Sequence, residues 1–116
     1  MNRIARFEKV SFKQFLKDYA DTYNLELNDD NAAQNMMGIK EIYDSLKLPK
    51  RATKGSAGYD FYAPEDIILE PGETIKIPTG IRVRIDEDYV LKCYPRSGLG
   101  FKFRLQLNNT VGIIDS

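Results

Sequence analysis

The residues best suited to chemistry lie in one turn, the YPRSGLG stretch at positions 94–100, between an apolar run and an alternating one. Proline fixes one backbone angle and glycine adopts angles that other residues avoid, so this composition predicts a tight turn. Such a turn can direct backbone N–H groups, the Ser97 hydroxyl and the Arg96 guanidinium towards one point. These donors suit a phosphate group. A surface turn with an exposed arginine is the simpler alternative, because turns of this composition are common.

Two further stretches combine polar residues with glycine, namely AGYDFYA at 57–63 and NNTVGIID at 108–115. Each has a purely structural explanation: Asp60 could cap a turn, Asn109 could adopt a left-handed turn conformation, and Asp115 could end a solvated strand. The order, spacing and glycine placement of the three stretches together favour a common function.

Composition limits the chemistry that is available. The chain has no histidine, which excludes histidine-containing triads, histidine-ligated zinc and imidazole bases, so proton transfer must use a carboxylate, lysine, tyrosine or thiol. The 17 basic and 17 acidic residues balance, and this argues against a nucleic-acid partner, which normally requires a basic excess. No apolar run is long enough to span a membrane, and the N-terminus lacks the apolar core of a signal peptide. The lone Cys93 predicts a buried, reduced thiol in a cytoplasmic protein.

The elements that must position these residues fall into two parts. Residues 1–48 predict a helical N-terminal extension, with a capping box at Ser11 and Gln14 and a second, weaker helical pattern at 36–46. Apolar stripes of this kind usually pack on the rest of a domain, so we expect this part to support the protein without doing chemistry.

Residues 49–116 predict an all-β domain, because short apolar runs alternate with turns rich in glycine, proline and asparagine. Strands at roughly ten-residue spacing are typical of an antiparallel sandwich or barrel. The predicted strands lie at 57–63, 67–69, 75–77, 81–85, 89–94, 101–107 and 110–114.

With these stretches in place, residues 48–116 resemble the trimeric dUTP diphosphatases (dUTPases). AGYDFYA is similar to the first motif of that family, YPRSGLG to its second and VGIIDS to the opening of its third. The linking PGETIKIPTGIRV is also similar. The resemblance implies a distorted jelly-roll β-barrel, a homotrimer with active sites shared between subunits, and hydrolysis of dUTP to dUMP and pyrophosphate with Mg²⁺.

The resemblance also implies roles for particular residues. Asp115 would orient and activate the water that attacks the α-phosphorus, and Asp60 would lie near the phosphates and the metal. The phosphates would be bound by Arg96, Ser97 and Gly98. Uracil and deoxyribose would be contacted by Asn109, Gly112 and Ile114. These roles fit the chemistry, because phosphoryl transfer depends on positioning and charge neutralisation, and magnesium prefers oxygen ligands.

Chain geometry bears on whether one chain could hold such a site. A strand at 101–107 would span roughly 20 Å at about 3.3 Å per residue, and the return over 110–115 recovers only part of that length. Arg96 and Asp115 of a single chain are therefore not obviously close, and a site shared across a three-fold interface, as in the family, would bring such residues together.

The resemblance stops at Ser116, inside the third motif. In the family this motif continues to a tyrosine that packs on the deoxyribose. A fourth motif with a phosphate-binding glutamine follows, and then a glycine-rich arm that closes over the nucleotide. Because the strands that go with them would be missing, we expect a β-domain that is incomplete at its C-terminus.

Two alternatives remain open. A dCTP deaminase shares the fold and the trimer, but its serine-rich second motif and catalytic glutamate match PRSGLG and VGIID less well. A non-catalytic module that binds a nucleotide or a partner could have kept the β scaffold and lost turnover.

Overall fold

The computed structural model describes residues 3–27, 32–108 and 111–116. The elements in chain order are β1 (Ala5–Lys9), α1 (Phe12–Tyr23), α2 (Ala32–Ser45), β2 (Ile81–Ile85), β3 (Val90–Cys93), α3 (Ser97–Phe103) and β4 (Gly112–Asp115). The strands form two two-stranded sheets, β1 with β2 and β3 with β4. Within the described residues they form no closed barrel.

Both helices predicted near the N-terminus are present. The Ser11 hydroxyl accepts a hydrogen bond from the Gln14 N–H at 3.1 Å, which confirms the first half of the predicted capping box. The side-chain amide of Gln14 donates a hydrogen bond to the Asp18 carboxylate at 2.9 Å. Helix α1 ends at Asn24, whose left-handed backbone lets its N–H bond to the Ala20 carbonyl. The predicted helical segment also contains strand β1, which the sequence pattern did not reveal.

The chain divides into two compact units. The helical unit is Phe7–Arg82, and the strand unit is Met1–Arg6 with Val83–Ser116. In the helical unit, α1 and α2 pack around the buried side chains of Phe15, Ile39 and Leu46. The rings of Phe15 and Tyr43 lie 5.7 Å apart at this contact. No helix in the described part of the chain is both long and apolar enough to cross a membrane.

The β-strand predictions are confirmed only in part. Strands β2, β3 and β4 lie within or close to the predicted 81–85, 89–94 and 110–114, although β3 is less buried than its apolar run indicates. The predicted strands at 57–63, 67–69 and 75–77 are wrong, because residues 51–80 contain one isolated bridge and no regular strand.

The predicted strand at 101–107 is also wrong, because α3 occupies its first half. Arg104 caps the C-terminus of this helix. Its backbone is in the left-handed conformation, and its N–H donates a hydrogen bond to the Leu99 carbonyl. A strand needs a neighbour to pair its backbone groups, whereas a helix pairs them internally. Alternation alone therefore does not make a strand here.

Candidate functional site

The phosphate-binding candidates lie in the strand unit, directly after β3. Arg96 has extended backbone angles, φ −64° and ψ 145°, and α3 begins at the next residue. Arg96, Ser97 and Gly98 are all exposed. A Cβ atom built on Gly98 would meet nothing within 4 Å, so the surface beside it is open. The tight turn predicted at 94–100 is wrong, because residues 94–96 have no regular structure and α3 occupies the stretch from Ser97 onwards. We call residues 94–98 the Arg96 segment.

Strand β4 holds three more of the candidates, Gly112, Ile114 and Asp115. It pairs antiparallel with β3, so that Gly112 lies opposite Cys93 and Asp115 lies opposite Val90. A Cβ atom on Gly112 would lie 3.3 Å from Cys93 Cβ, which is closer than most side chains allow. Glycine thus permits the close approach of the two strands. Cys93 is half-buried rather than fully buried as predicted.

The register of this ladder separates Arg96 from Asp115. The Arg96 segment follows Cys93 at one end, and Asp115 pairs with Val90 at the other end. Three residues of strand correspond to roughly 10 Å at about 3.3 Å per residue. The ladder therefore holds Asp115 away from the end at which the Arg96 segment begins.

Asp60 lies in the helical unit, in an extended stretch. Its N–H donates to the Lys50 carbonyl at 2.8 Å, and the Lys50 N–H donates to the Asp60 carbonyl at 3.3 Å. The rings of its two neighbours, Tyr59 and Phe61, both pack against Phe7, with centroid distances of 5.4 and 5.5 Å. The remaining candidate, Asn109, lies outside the described residues.

Asp60 is the candidate that the sequence analysis placed near a metal ion. Within residues 3–27, 32–108 and 111–116, no cluster of three or more cysteine, aspartate or glutamate residues could hold a metal. Mg²⁺ commonly takes one or two carboxylates and completes its octahedron with water and substrate phosphates. A single carboxylate, such as that of Asp60, is compatible with this mode of binding.

A polar cluster that the sequence analysis missed joins α1 to the loop after Asp60. The phenols of Tyr19 and Tyr23 both donate to Glu65 Oε1, at 2.8 and 3.0 Å. Burial raises the pKa of both tyrosines, and the hydrogen bond and negative charge of Glu65 raise it further. The i, i+4 spacing of the two tyrosines put them on one helix face, but the sequence did not show which residue they meet.

A protein-family model matches the part of the chain that contains most of these candidates. The dUTPase family model matches residues 44–116, a segment that holds the three motif stretches, the β3–β4 ladder and the Arg96 segment. The chain therefore belongs to the dUTPase family. This confirms the resemblance of residues 48–116.

Curated relatives are similar over the same part of the chain. A deoxyuridine 5′-triphosphate nucleotidohydrolase of Ectopseudomonas mendocina is 53% identical over 72 residues, which cover 60% of this chain and 48% of the relative. The protein of that name from Pseudomonas fluorescens strain Pf0-1 is 51% identical over 78 residues, covering 65% of this chain and 52% of the relative. That from Neisseria meningitidis is 49% identical over 72 residues, covering 60% and 48%. The chain spans about half the length of the curated relatives it matches, and no solved structure matches it.

Proposed function

We propose that the protein carrying this chain hydrolyses dUTP to dUMP and pyrophosphate. The observation that carries the proposal is the family match over residues 44–116, which includes all three motif stretches. The names of the relatives support it, because each is called a deoxyuridine 5′-triphosphate nucleotidohydrolase.

In this proposal the Arg96 segment binds the triphosphate. The Arg96 guanidinium, the Ser97 hydroxyl and the backbone N–H of Gly98 would donate to phosphate oxygens, and their exposure leaves them accessible to a ligand. Asp115 would accept a hydrogen bond from a water molecule and orient it for attack on the α-phosphorus. As the water oxygen bonds to the α-phosphorus, its proton would pass to the Asp115 carboxylate, the bond from the α-phosphorus to the bridging oxygen would break, and pyrophosphate would leave.

The nucleoside would be recognised by Asn109 and by residues of β4. Asn109, Gly112 and Ile114 are the residues proposed for uracil and deoxyribose. A site whose buried donors and acceptors pair with uracil leaves them unsatisfied opposite cytosine, and this disfavours dCTP.

Magnesium enters the proposal as part of the substrate complex. The ion would be held by phosphate oxygens and water, with the Asp60 carboxylate near it. When bound, the ion neutralises the phosphate charge that opposes attack by water.

We further propose a homotrimer with shared active sites, in which this segment forms part of a distorted jelly-roll barrel. The separation of Arg96 and Asp115 along the β3–β4 ladder supports sharing, because a second chain can supply the missing partner. The exposed apolar residues of the strand unit also support a covering chain, among them Tyr94, Phe103 and Ile113. The proposal includes two parts of the chain, an N-terminal extension at 1–48 and a β-domain at 49–116. It also includes a cytoplasmic location.

The test is pyrophosphate release from dUTP, dCTP and dTTP in the presence of Mg²⁺. We expect release from dUTP alone, and a loss of about 10²-fold or more in kcat for Asp115→Asn, the range for a lost general base. Because Asp115 is exposed, the variant should keep the parent thermal stability. Equal turnover of dUTP and dCTP, or full activity of Asp115→Asn, would contradict the proposal. Deamination of dCTP would favour the deaminase alternative, and nucleotide binding without turnover would favour the non-catalytic module.

A further inference from the structure

The stretch that carries Asp60 has little regular structure to hold it. Residues 51–80 are all described and contain no helix and no strand beyond the single bridge from Asp60 to Lys50. Backbone without a continuous ladder opens easily, because few hydrogen bonds must break at once. The position of Asp60 therefore depends on what packs against this stretch.

Residues that precede the family match contact this stretch along its length. These contacts all lie inside the helical unit. They are the packing of the Phe7 ring on Tyr59 and Phe61, the hydrogen bonds of Tyr19 and Tyr23 to Glu65, the bond of Thr22 Oγ1 to the Lys76 carbonyl at 2.8 Å, and the bond of the Val10 N–H to the Gly80 carbonyl at 2.9 Å.

The Phe7 contact is the one that bears directly on Asp60. Along extended backbone, successive side chains point to opposite faces, so Tyr59 and Phe61 share one face and Asp60 takes the other. A single ring packed on both neighbours fixes that face. The two hydrogen bonds to Lys50 fix the backbone of Asp60 itself, at 2.8 and 3.3 Å.

We propose that residues 7–23 brace residues 59–80, a stretch that includes Asp60 and most of the first family motif, and that Phe7 is a positioning residue for Asp60. The consequence for turnover rests on the proposed dUTP hydrolysis, whereas the structural consequence does not. Every bracing residue lies before residue 44, where the family match begins, so the brace is an addition to the matched segment.

The structural consequence is tested by hydrogen exchange of the Asp60 N–H, measured by NMR in the full protein. Phe7→Ala is compared with Phe12→Ala as a matched control. Phe12 is also half-buried in the helical unit, but its ring packs on Tyr43, with the ring centroids 5.5 Å apart. We expect exchange at least about tenfold faster in Phe7→Ala and within about twofold of the parent in Phe12→Ala. Equal exchange in the two variants would overturn the brace. If Phe7→Ala does not fold, Phe7→Leu and Phe12→Leu are compared by the same criterion.

The functional consequence is tested by a double-mutant cycle with Asp60→Asn. We expect Phe7→Ala to lower kcat/KM for dUTP by about tenfold or more in the parent, because small misplacements of positioning groups are costly. In the Asp60→Asn background the same substitution should have no further effect, and Phe7→Leu should recover part of the loss. A loss of equal size in both backgrounds would overturn the positioning role. Absence of dUTP hydrolysis by the parent would instead refute the proposed function, and the exchange comparison would then decide on the brace.

Discussion

The two units of the chain differ in how they bury their apolar residues. In the helical unit, Phe15 has 0% of its surface exposed and packs with Ile39 and Leu46 in a closed core. In the strand unit no described residue is buried, and Phe103 and Ile113 are 73% and 65% exposed. One unit thus stabilises itself, whereas the other presents an apolar surface.

The difference matters because the strand unit carries most of the proposed chemistry. Burying a large apolar side chain contributes about 1.5–3 kcal/mol, so a surface of this kind favours contact with further polypeptide. Arg96, Ser97 and Asp115 all lie in that unit. We infer that the part proposed to carry the chemistry depends on a covering chain, while the helical unit depends on its own core.

A phenylalanine-to-alanine substitution in each unit tests whether the two units differ in this way. Phe15→Ala should lower the free energy of unfolding by about 3–5 kcal/mol, because it leaves a cavity in a closed core. Phe103→Ala should change it by less than about 0.5 kcal/mol in the isolated chain, because the side chain is already exposed. Urea denaturation followed by circular dichroism measures both. Equal losses in the two variants would show that the strand unit also has a core of its own.

A pair of glycine substitutions sharpens the description of the helical core. Gly80 has φ +71°, and a Cβ atom there would meet Leu46 Cδ1, with Phe15 Cδ1 at 3.1 Å. Gly80→Ala should therefore destabilise the chain by about 1–3 kcal/mol through strain and overpacking. Gly38 lies in α2 with nothing within 4 Å, so Gly38→Ala should stabilise by about 0.5–1 kcal/mol. Thermal unfolding of both variants checks the prediction, and a neutral Gly80→Ala would contradict the close packing.

The smallest expected effect concerns alkaline pH and the Tyr19, Tyr23 and Glu65 cluster. The pKa of both tyrosines is raised above the ordinary value, so above pH ~10 the unfolded chain loses these protons before the folded one does. Stability should therefore fall as the pH rises above ~10. In Glu65→Gln the fall should be smaller, because the charge is removed while burial remains the leading cause of the shift. Unfolding curves between pH 8 and pH 11 measure this, and an unchanged pH dependence would contradict it.

The helices could be predicted from sequence because their determinants are local. The Ser11 cap and the apolar spacing of α1 act within a few residues, and the structure confirms both. The helical spacing around Ile39 likewise predicted α2. Strand β1 escaped prediction because its existence depends on pairing with β2, far along the chain.

The strand predictions failed where pairing was the missing information. The alternation at 101–107 is consistent with a strand, yet a strand needs a partner, and the chain forms α3 over the first half of this stretch. The strand at 81–85 succeeded because β1 pairs with it. The sequence pattern therefore shows which residues can line a sheet, but not which sheet exists.

For the candidate site, the sequence identified the stretches but not their arrangement. Glycine and proline placement predicted a tight turn at 94–100, but the structure has extended backbone at Arg96 and helix α3 from Ser97, which pairs its backbone groups internally. Asp115 pairs with Val90 and Gly112 pairs with Cys93, so the two candidates lie at opposite ends of the β3–β4 ladder. This arrangement follows from the strand register, which no local sequence pattern encodes. The Phe7 packing beside Asp60 likewise joins residues more than fifty positions apart, so it could not be predicted from either segment alone.

The central claim, that the site combines residues of different chains, is tested most directly by subunit complementation. Arg96→Ala and Asp115→Asn versions of the full protein are co-expressed in equal amounts, and dUTP hydrolysis by the mixed assembly is measured against each variant alone. If each site takes Arg96 from one chain and Asp115 from another, one site in four is intact, and about a quarter of the parent activity should return. Activity no higher than that of the single variants would show that both residues serve one site from the same chain, and would contradict the account.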